Sequence, residues 1–350
     1  MIDITNIEEI KKLDPQNTYG STEMLPQQLS AAWEQVKQVK IPEDYKNVSN
    51  IVFCGMGASI YGALVVKALF GPEFPFPTES VSDYHLPKYV GPNTLVVLTS
   101  YSGSTEEVLS CADEAKEKQA KMLVLTKGGK LSEFAKTNNI PAYIFDGALN
   151  PSGVPRLGNG YTIIGLMGLL HNAGIITLDE EKLRGGIEHI TKNIDSIKER
   201  AMHDAHAMLN KIPIIFAAEH LSGNAQILRN QFNETSKTFS AYYLIPDLNH
   251  HLMEGLKFPK ADMKFMIFKS PSYSSKIKKR VDLTIDVVQQ NNQTVMQYVT
   301  KGENTYQDFL EVLSLGSYTT FYLGILYEQN PSVNPWVDYF KQKLSEEWYV

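Results

Sequence analysis

Leu95-Val-Val-Leu-Thr-Ser-Tyr-Ser-Gly-Ser-Thr-Glu-Glu-Val-Leu109 is the stretch on which the fold turns. Its apolar opening has the length of a strand and no polar alternation, the pattern of a strand buried on both faces. The run ends near Thr99, and a helix is expected from about Ser104. The intervening turn carries hydroxyls at Ser100, Ser102, Ser104 and Thr105 around Gly103. A helix N-terminus offers unpaired N–H groups and the positive end of the helix dipole, so such a turn suits an anion, a phosphate above all. Capping by Ser104, with Glu107 three residues on, would account for one hydroxyl but not for four around a glycine.

Strand-then-helix units repeat on either side. Short β-rich runs are expected at 51–54, 78–82, 95–99, 122–126 and 142–145, with helices at 60–70, 106–119 and 131–137 between several of them. Strands spaced by helices of this length predict βαβ units and a mostly parallel sheet. A Pro/Gly/Asn-rich patch over 150–155 closes the series, and two helical segments follow, an apolar one at 161–172 and a charged one at 178–208. Alternation then resumes with strands at 213–217, 263–268 and 294–298 and helices at 225–238, 274–289 and from 306 to about 328. The expected division is a helical collar over 1–45, a first α/β lobe over 46–155, a helical connector over 156–208 and a second lobe over 209–350.

Composition narrows the function. The 350 residues carry a formal net charge of −6, which argues against a nucleic-acid binder but not against a local anion site. Cys54 and Cys111 cannot staple a chain of this length and lack metal-ligand spacing, so a reducing compartment is expected. No basic leader precedes an apolar run, and the longest apolar stretch, 162–170, is short of the ~20 residues of a membrane helix. A soluble, cytoplasmic protein without metal or cofactor is the expectation.

A second glycine turn, Gly55-Met-Gly-Ala-Ser59, follows the 51–54 strand. It lacks the third glycine of a dinucleotide fingerprint, because Ile60 stands there, and it has no phosphate-loop lysine. What remains is Gly57 and Ser59 at a helix start, able to lie beside the first turn at the carboxyl ends of adjacent strands. Arg156 follows the proline-rich loop; by itself such an arginine is more often solvated. Glu234 lies at the margin of the apolar face marked by Leu228 and Phe232, where a carboxylate can serve as a base or simply pair with Lys237. Adjacent His250 and His251 diverge, so at most one need be functional; His203 and His206 read as a solvated face. Lys341 and Lys343 would ordinarily be dipole partners near the end of a terminal helix.

Together these segments resemble the sugar isomerase (SIS) fold and, more specifically, the bifunctional phosphoglucose/phosphomannose isomerases. Gly55-Met-Gly-Ala-Ser59 is similar to the family's first glycine turn, and Ser100-Tyr-Ser-Gly-Ser-Thr-Glu-Glu107 to its phosphate loop, which usually has Asn where Ser104 stands. Pro155-Arg156 matches its arginine, Glu234 and His250 its catalytic base and ring-opening histidine, and Lys341 its C-terminal lysine. Asn334-Pro335 departs from the usual Thr-Pro, which puts mannose 6-phosphate in doubt more than glucose 6-phosphate. The resemblance implies two SIS lobes and metal-free isomerisation of hexose 6-phosphates through a cis-enediol. The phosphate would lie on Ser59, Ser100, Ser102 and Thr105 with Gly57 and Gly103. It also implies a homodimer in which the histidine enters from the partner subunit. An enzyme of the same fold acting on amino-sugar or fructosamine phosphates, or a non-catalytic phosphosugar sensor, are the other readings.

Overall fold

The computed structural model describes residues 2–258 and 261–346. Helices α1 (Ile7–Leu13), α2 (Thr18–Glu23) and α3 (Leu25–Val36) precede the first sheet. That sheet contains β1 (Asn50–Cys54), β2 (Thr78–Val81), β3 (Thr94–Ser100), β4 (Lys121–Thr126) and β5 (Ala142–Ile144). Interspersed are α4 (Tyr61–Phe70), α5 (Glu106–Glu117) and α6 (Gly129–Thr137). After α7 (Asn159–Asn172), α8 (Glu180–Lys192) and α9 (Ile194–Met208), the second sheet is built from β6 (Ile212–Ala218), β7 (Ala241–Ile245), β8 (Met263–Lys269) and β9 (Val295–Val299). Its helices are α10 (Ser222–Glu234), α11 (Ser275–Gln290) and α12 (Thr305–Leu326), and α13 (Pro335–Ser345) follows.

Both sheets are wholly parallel and share one topology. The orders are β2-β1-β3-β4-β5 and β7-β6-β8-β9, so β6 and β8 occupy in the second lobe the places of β1 and β3 in the first. Parallel strands need crossover connections, and helices supply them on both faces. One face of the first sheet, through Val52, Val96 and Val124, packs on Val108 and Ala112 of α5 and Leu131 of α6. The other face, through Phe53, Val97 and Leu125, joins a larger core with α3, α4 and α7 that continues without a break into the second lobe. The two-lobe α/β architecture expected from the alternation is therefore the one observed.

Several details differ from the expectations. The charged stretch read as one helix at 178–208 is two helices meeting at Asn193, whose backbone N–H and side-chain amide both donate to the His189 carbonyl, at 3.1 and 2.9 Å. The helix expected over 225–238 runs instead over Ser222–Glu234, and Lys237 beyond it has φ +56°. Strand β7 was not anticipated. It is an edge strand with a single neighbour, β6, and is mostly half-exposed, yet its run Ala241-Tyr-Tyr-Leu-Ile245, closed by Pro246, is apolar and aromatic and carries a strand signal that went unread. The run 162–170 is not the most extensive apolar element, for an 18-residue window of α12 has a mean hydropathy of 1.3, yet that window is entirely buried. By length and composition α12 could cross a membrane; here it is the central helix of the core, against α9, α8 and α10.

Candidate active site

The two glycine turns lie side by side because β1 and β3 are neighbours in register. Gly57 has φ +53°, with open space where a Cβ would project, so backbone conformation is what calls for glycine there. Ser59, nearly buried, accepts the Tyr101 N–H on its Oγ at 3.0 Å, which ties one turn to the other. Its own hydroxyl hydrogen is left to donate toward the cleft.

In the hydroxyl-rich loop the four hydroxyls have separate tasks. Ser100 Oγ is buried, bonded to Thr105 Oγ1 at 2.7 Å and accepting the Gly103 N–H at 3.0 Å; it braces the turn and does not reach the cleft wall. Ser102 and Thr105 do line the cleft, and Ser104 donates to Ser102 Oγ at 3.1 Å. Gly103, with φ +71°, is not in the cleft wall either. A Cβ there would lie 1.7 Å from the Gly128 carbonyl oxygen, so glycine lets the turn pass the β4–α6 loop rather than letting a ligand approach. Ser104 and Glu107 form no capping box. The N-cap of α5 is Thr105, whose hydroxyl bonds that of Ser100, and no side chain caps the helix. Its first amides thus face the cleft without a side-chain acceptor, as an anion site requires.

The equivalent turn of the second lobe is closed. After β8, Ser274 begins α11, but Glu219 Oε2 accepts the Ser274 N–H at 3.0 Å and its Oε1 accepts the Ser274 hydroxyl at 2.6 Å. Glu219, with φ +43°, stands just after β6 where Gly57 stands after β1. The protein's own carboxylate occupies the place that the first lobe leaves open.

A cleft of about 750 Å³ is lined by Ser59, Ser102 and Thr105 of the two turns and also by Arg156, Glu234 and Lys341. Arg156 is 1% exposed and fully engaged. Its Nη1 lies 3.3 Å from Glu234 Oε2, its Nε donates to Thr235 Oγ1 at 2.9 Å, and its Nη2 donates to the carbonyls of Pro331 at 2.5 Å and Ser332 at 3.3 Å. Burial pushes the guanidinium below its usual range while the Glu234 carboxylate opposes that shift. Asn334, with its amide turned to satisfy both ends, accepts from Arg156 Nη1 at 3.0 Å and donates to the Glu234 carbonyl at 3.2 Å. Glu234, last residue of α10, has a side chain one-third exposed into the cleft. Tyr61, fully buried on α4, has its phenol driven upward by burial and, second, by the Glu234 charge.

His250 is exposed at the end of a 3₁₀ turn over Asp247–His250 and does not line this cleft within its own chain. A separate groove of about 540 Å³, holding Arg229, Phe239, Tyr242 and Tyr243, reaches Glu234 and Gly57 from another side. The sequence reading also missed three groups in the cleft wall. Gln16, from the collar, accepts from Asn330 Nδ2 at 3.0 Å and Ser332 Oγ at 2.9 Å. Asp338 is three residues from Lys341 on α13, a spacing that signals a shared face. Glu107 is a cleft carboxylate rather than a cap. Among the described residues, no group of three His, Cys, Asp or Glu side chains is arranged to hold a metal.

Comparison with known proteins bears on this geometry. Residues 197–344 match the family described as bacterial phospho-glucose isomerase C-terminal SIS domain, and residues 44–143 match the SIS domain. The chain is 30% identical over 321 residues to a bifunctional phosphoglucose/phosphomannose isomerase of Aquifex aeolicus, covering 90% of this chain and 96% of the relative. It is 29% identical over 347 residues to one from Caldicellulosiruptor bescii, covering 94% and 99%. In fold it is similar to a hypothetical protein from Thermus thermophilus whose crystal structure superposes with a TM-score of 0.74 at 18% identity, covering 97% of this chain and 94% of that one.

Proposed function

The chain belongs to the bifunctional phosphoglucose/phosphomannose isomerase family, and from that premise we infer how its cleft interconverts the aldose and ketose forms of hexose 6-phosphates. The observation that carries the inference is that the paired Arg156 and Glu234 line the same cleft as an uncapped, hydroxyl-lined helix start. The phosphate docks on Ser59, Ser102, Thr105 and the first amides of α5, with Ser100 and Gly103 holding the loop's shape. This leaves C1 and C2 near Glu234. The carboxylate moves a proton between those carbons through a cis-enediol, and Arg156 stabilises the negative charge that develops. Lys341 assists ring opening. Rotation about C2–C3 in the enediol would give the mannose epimer, and Asn334, held between Arg156 and the Glu234 carbonyl, sets how much room that rotation has. On this reading the protein serves a cytoplasmic step common to glycolysis and gluconeogenesis.

The test is turnover of fructose 6-phosphate in D2O. Aldose 6-phosphate carrying deuterium at C2 is the expected product, since an enediol exchanges its carried proton with solvent in part of the turnovers. Aldose formed with no deuterium would overturn the enediol; activity confined to 2-amino analogues would overturn the substrate.

Ring opening also needs the histidine, and a homodimer would deliver it. The exposed His250 segment adjoins β7, and the groove at Phe239, Tyr242 and Tyr243 leads to Glu234. Phe239 is 72% exposed, and Trp336 and Phe340 of α13 are 82% and 64% exposed, more apolar surface than an isolated chain ordinarily shows. Two copies related by a two-fold axis would cover these faces and bring the partner subunit's His250 to the site. Mixed refolding of Glu234→Gln and His250→Ala chains is then expected to recover about a quarter of the parental activity, because half the dimers pair one intact site with one dead one. Two inactive variants that stay inactive when mixed would place both groups in the same chain.

A further inference from the structure

Lys237 sits just past the base's helix but outside the cleft, in a recess of about 400 Å³ with Ser236, Phe239 and Tyr327. Its left-handed backbone, φ +56°, turns the side chain back on the chain. Nζ donates to the Glu234 carbonyl at 2.6 Å and points to that of Thr235 at 3.5 Å. The last carbonyls of a helix lack intrahelical partners and carry the negative end of its dipole, so an ammonium there is a strong anchor. The same two residues are gripped from the other side by Arg156, through Glu234 Oε2 and Thr235 Oγ1, and by Asn334 through the Glu234 carbonyl. The carboxylate in the cleft therefore hangs from a peptide held by one half-buried lysine and one buried arginine.

Resting on the isomerase reading, we propose that Lys237 is a positioning residue. Through the carbonyls of Glu234 and Thr235 its ammonium fixes the backbone that aims the carboxylate, and turnover weakens as that ammonium gives up its proton. The charged and titratable groups around it are Arg156 on its loop, Glu234 on α10, Lys211 before β6 and Tyr327 after α12. Burial, and then the Arg156 charge, bring the lysine down from 10.5 to about 8, with Glu234 opposing. A group lowered in this way is protonated in both folded and unfolded chains below pH 8; above it, the folded chain sheds the proton first. Stability from this group therefore rises with pH between about 8 and 10 while turnover falls. A lysine that served the fold alone would not separate the two.

The experiment is kcat and KM for fructose 6-phosphate against pH, with urea midpoints alongside, for the parent, Lys237→Arg and Lys237→Met. The parent is expected to lose kcat above about pH 8 with KM unchanged and no fall in urea midpoint. Lys237→Arg keeps its charge, so its alkaline limb moves upward by at least about one pH unit. Lys237→Met, with no donor, is expected to have kcat lowered about ten-fold at neutral pH and no limb near 8. Should Lys237→Met fail to fold, the arginine profile decides alone. An alkaline limb identical in the parent and Lys237→Arg, or parental kcat in a folded Lys237→Met, would overturn the proposal and leave the isomerase reading intact; a parent without hexose-phosphate turnover would overturn both.

Discussion

Glu234→Gln is expected to lower kcat by about 10³-fold while fructose 6-phosphate still binds, since a general base contributes roughly 10²–10⁴ to such proton transfers. The substitution is nearly isosteric. Gln can still present an oxygen to Arg156 Nη1, now 3.3 Å from Oε2, and the side chain is one-third exposed, so the amide's extra hydrogens find water. What it cannot do is accept and return a proton at C1 and C2. The proposed anion site at Ser59, Ser102 and Thr105 has no hydrogen bond to the Glu234 carboxylate, so calorimetric affinity for the sugar phosphate should stay near the parental value. This split between lost turnover and kept binding separates three readings. A phosphosugar sensor predicts no turnover in either protein. A base elsewhere in the cleft, for which Glu107 and Asp338 are the available carboxylates, predicts that Glu234→Gln keeps activity within ten-fold. A purely structural Glu234 predicts loss of affinity along with activity.

The parts of this architecture visible in the sequence were those encoded locally. β1, β3 and β4 are continuous apolar runs because both faces of a central parallel strand are covered, and each ends in a turn with its own composition. β7 was legible in Ala241-Tyr-Tyr-Leu-Ile245 but was passed over. The break at Asn193 was not visible because no proline or glycine marks it. The Ser100–Thr105 loop could be recognised as an anion cradle, yet the division of labour within it could not. That Ser100 turns inward to brace Gly103 and Thr105 is a matter of loop conformation, and that Gly103 clears Gly128 depends on a loop 25 residues further along the chain. Likewise Gln16 reaches the cleft through contacts with Asn330 and Ser332, about as distant in sequence as this chain allows. Periodicity carries no record of such pairings. The closure of the second lobe's turn by Glu219 is of the same kind, for nothing in Pro271-Ser-Tyr-Ser274 itself marks that turn as occupied.

Arg156→Ala is expected to damage fold and catalysis together, and Arg156→Lys to separate them. The arginine is the buried tie between the first lobe's exit loop, the end of α10 and the 331–334 segment that leads into α13. Removing it leaves the carbonyls of Pro331 and Ser332 and the Thr235 hydroxyl without that donor, and leaves a hole where a large side chain was. A buried neutral acceptor stripped of its donor typically costs ~1–3 kcal/mol, so a marked drop in the urea midpoint should accompany loss of activity. Lysine keeps the charge but offers a single nitrogen in place of a planar fork, and cannot serve Thr235, Glu234 and Ser332 at once. Arg156→Lys should therefore fold with a smaller penalty and still fall about 10²-fold in kcat, because the displaced charge no longer holds Glu234 in place or sets the field at the developing oxyanion. The double variant Arg156→Lys/Glu234→Gln decides whether the pair acts as one unit. If the guanidinium stabilises charge that only the carboxylate's proton transfer creates, the second substitution adds little to the first, and kcat of the double variant stays close to that of Glu234→Gln. Losses that multiply instead would mean Arg156 and Glu234 act on different steps, and the enediolate would have to find its counter-charge in Lys341, the other cation lining the cleft.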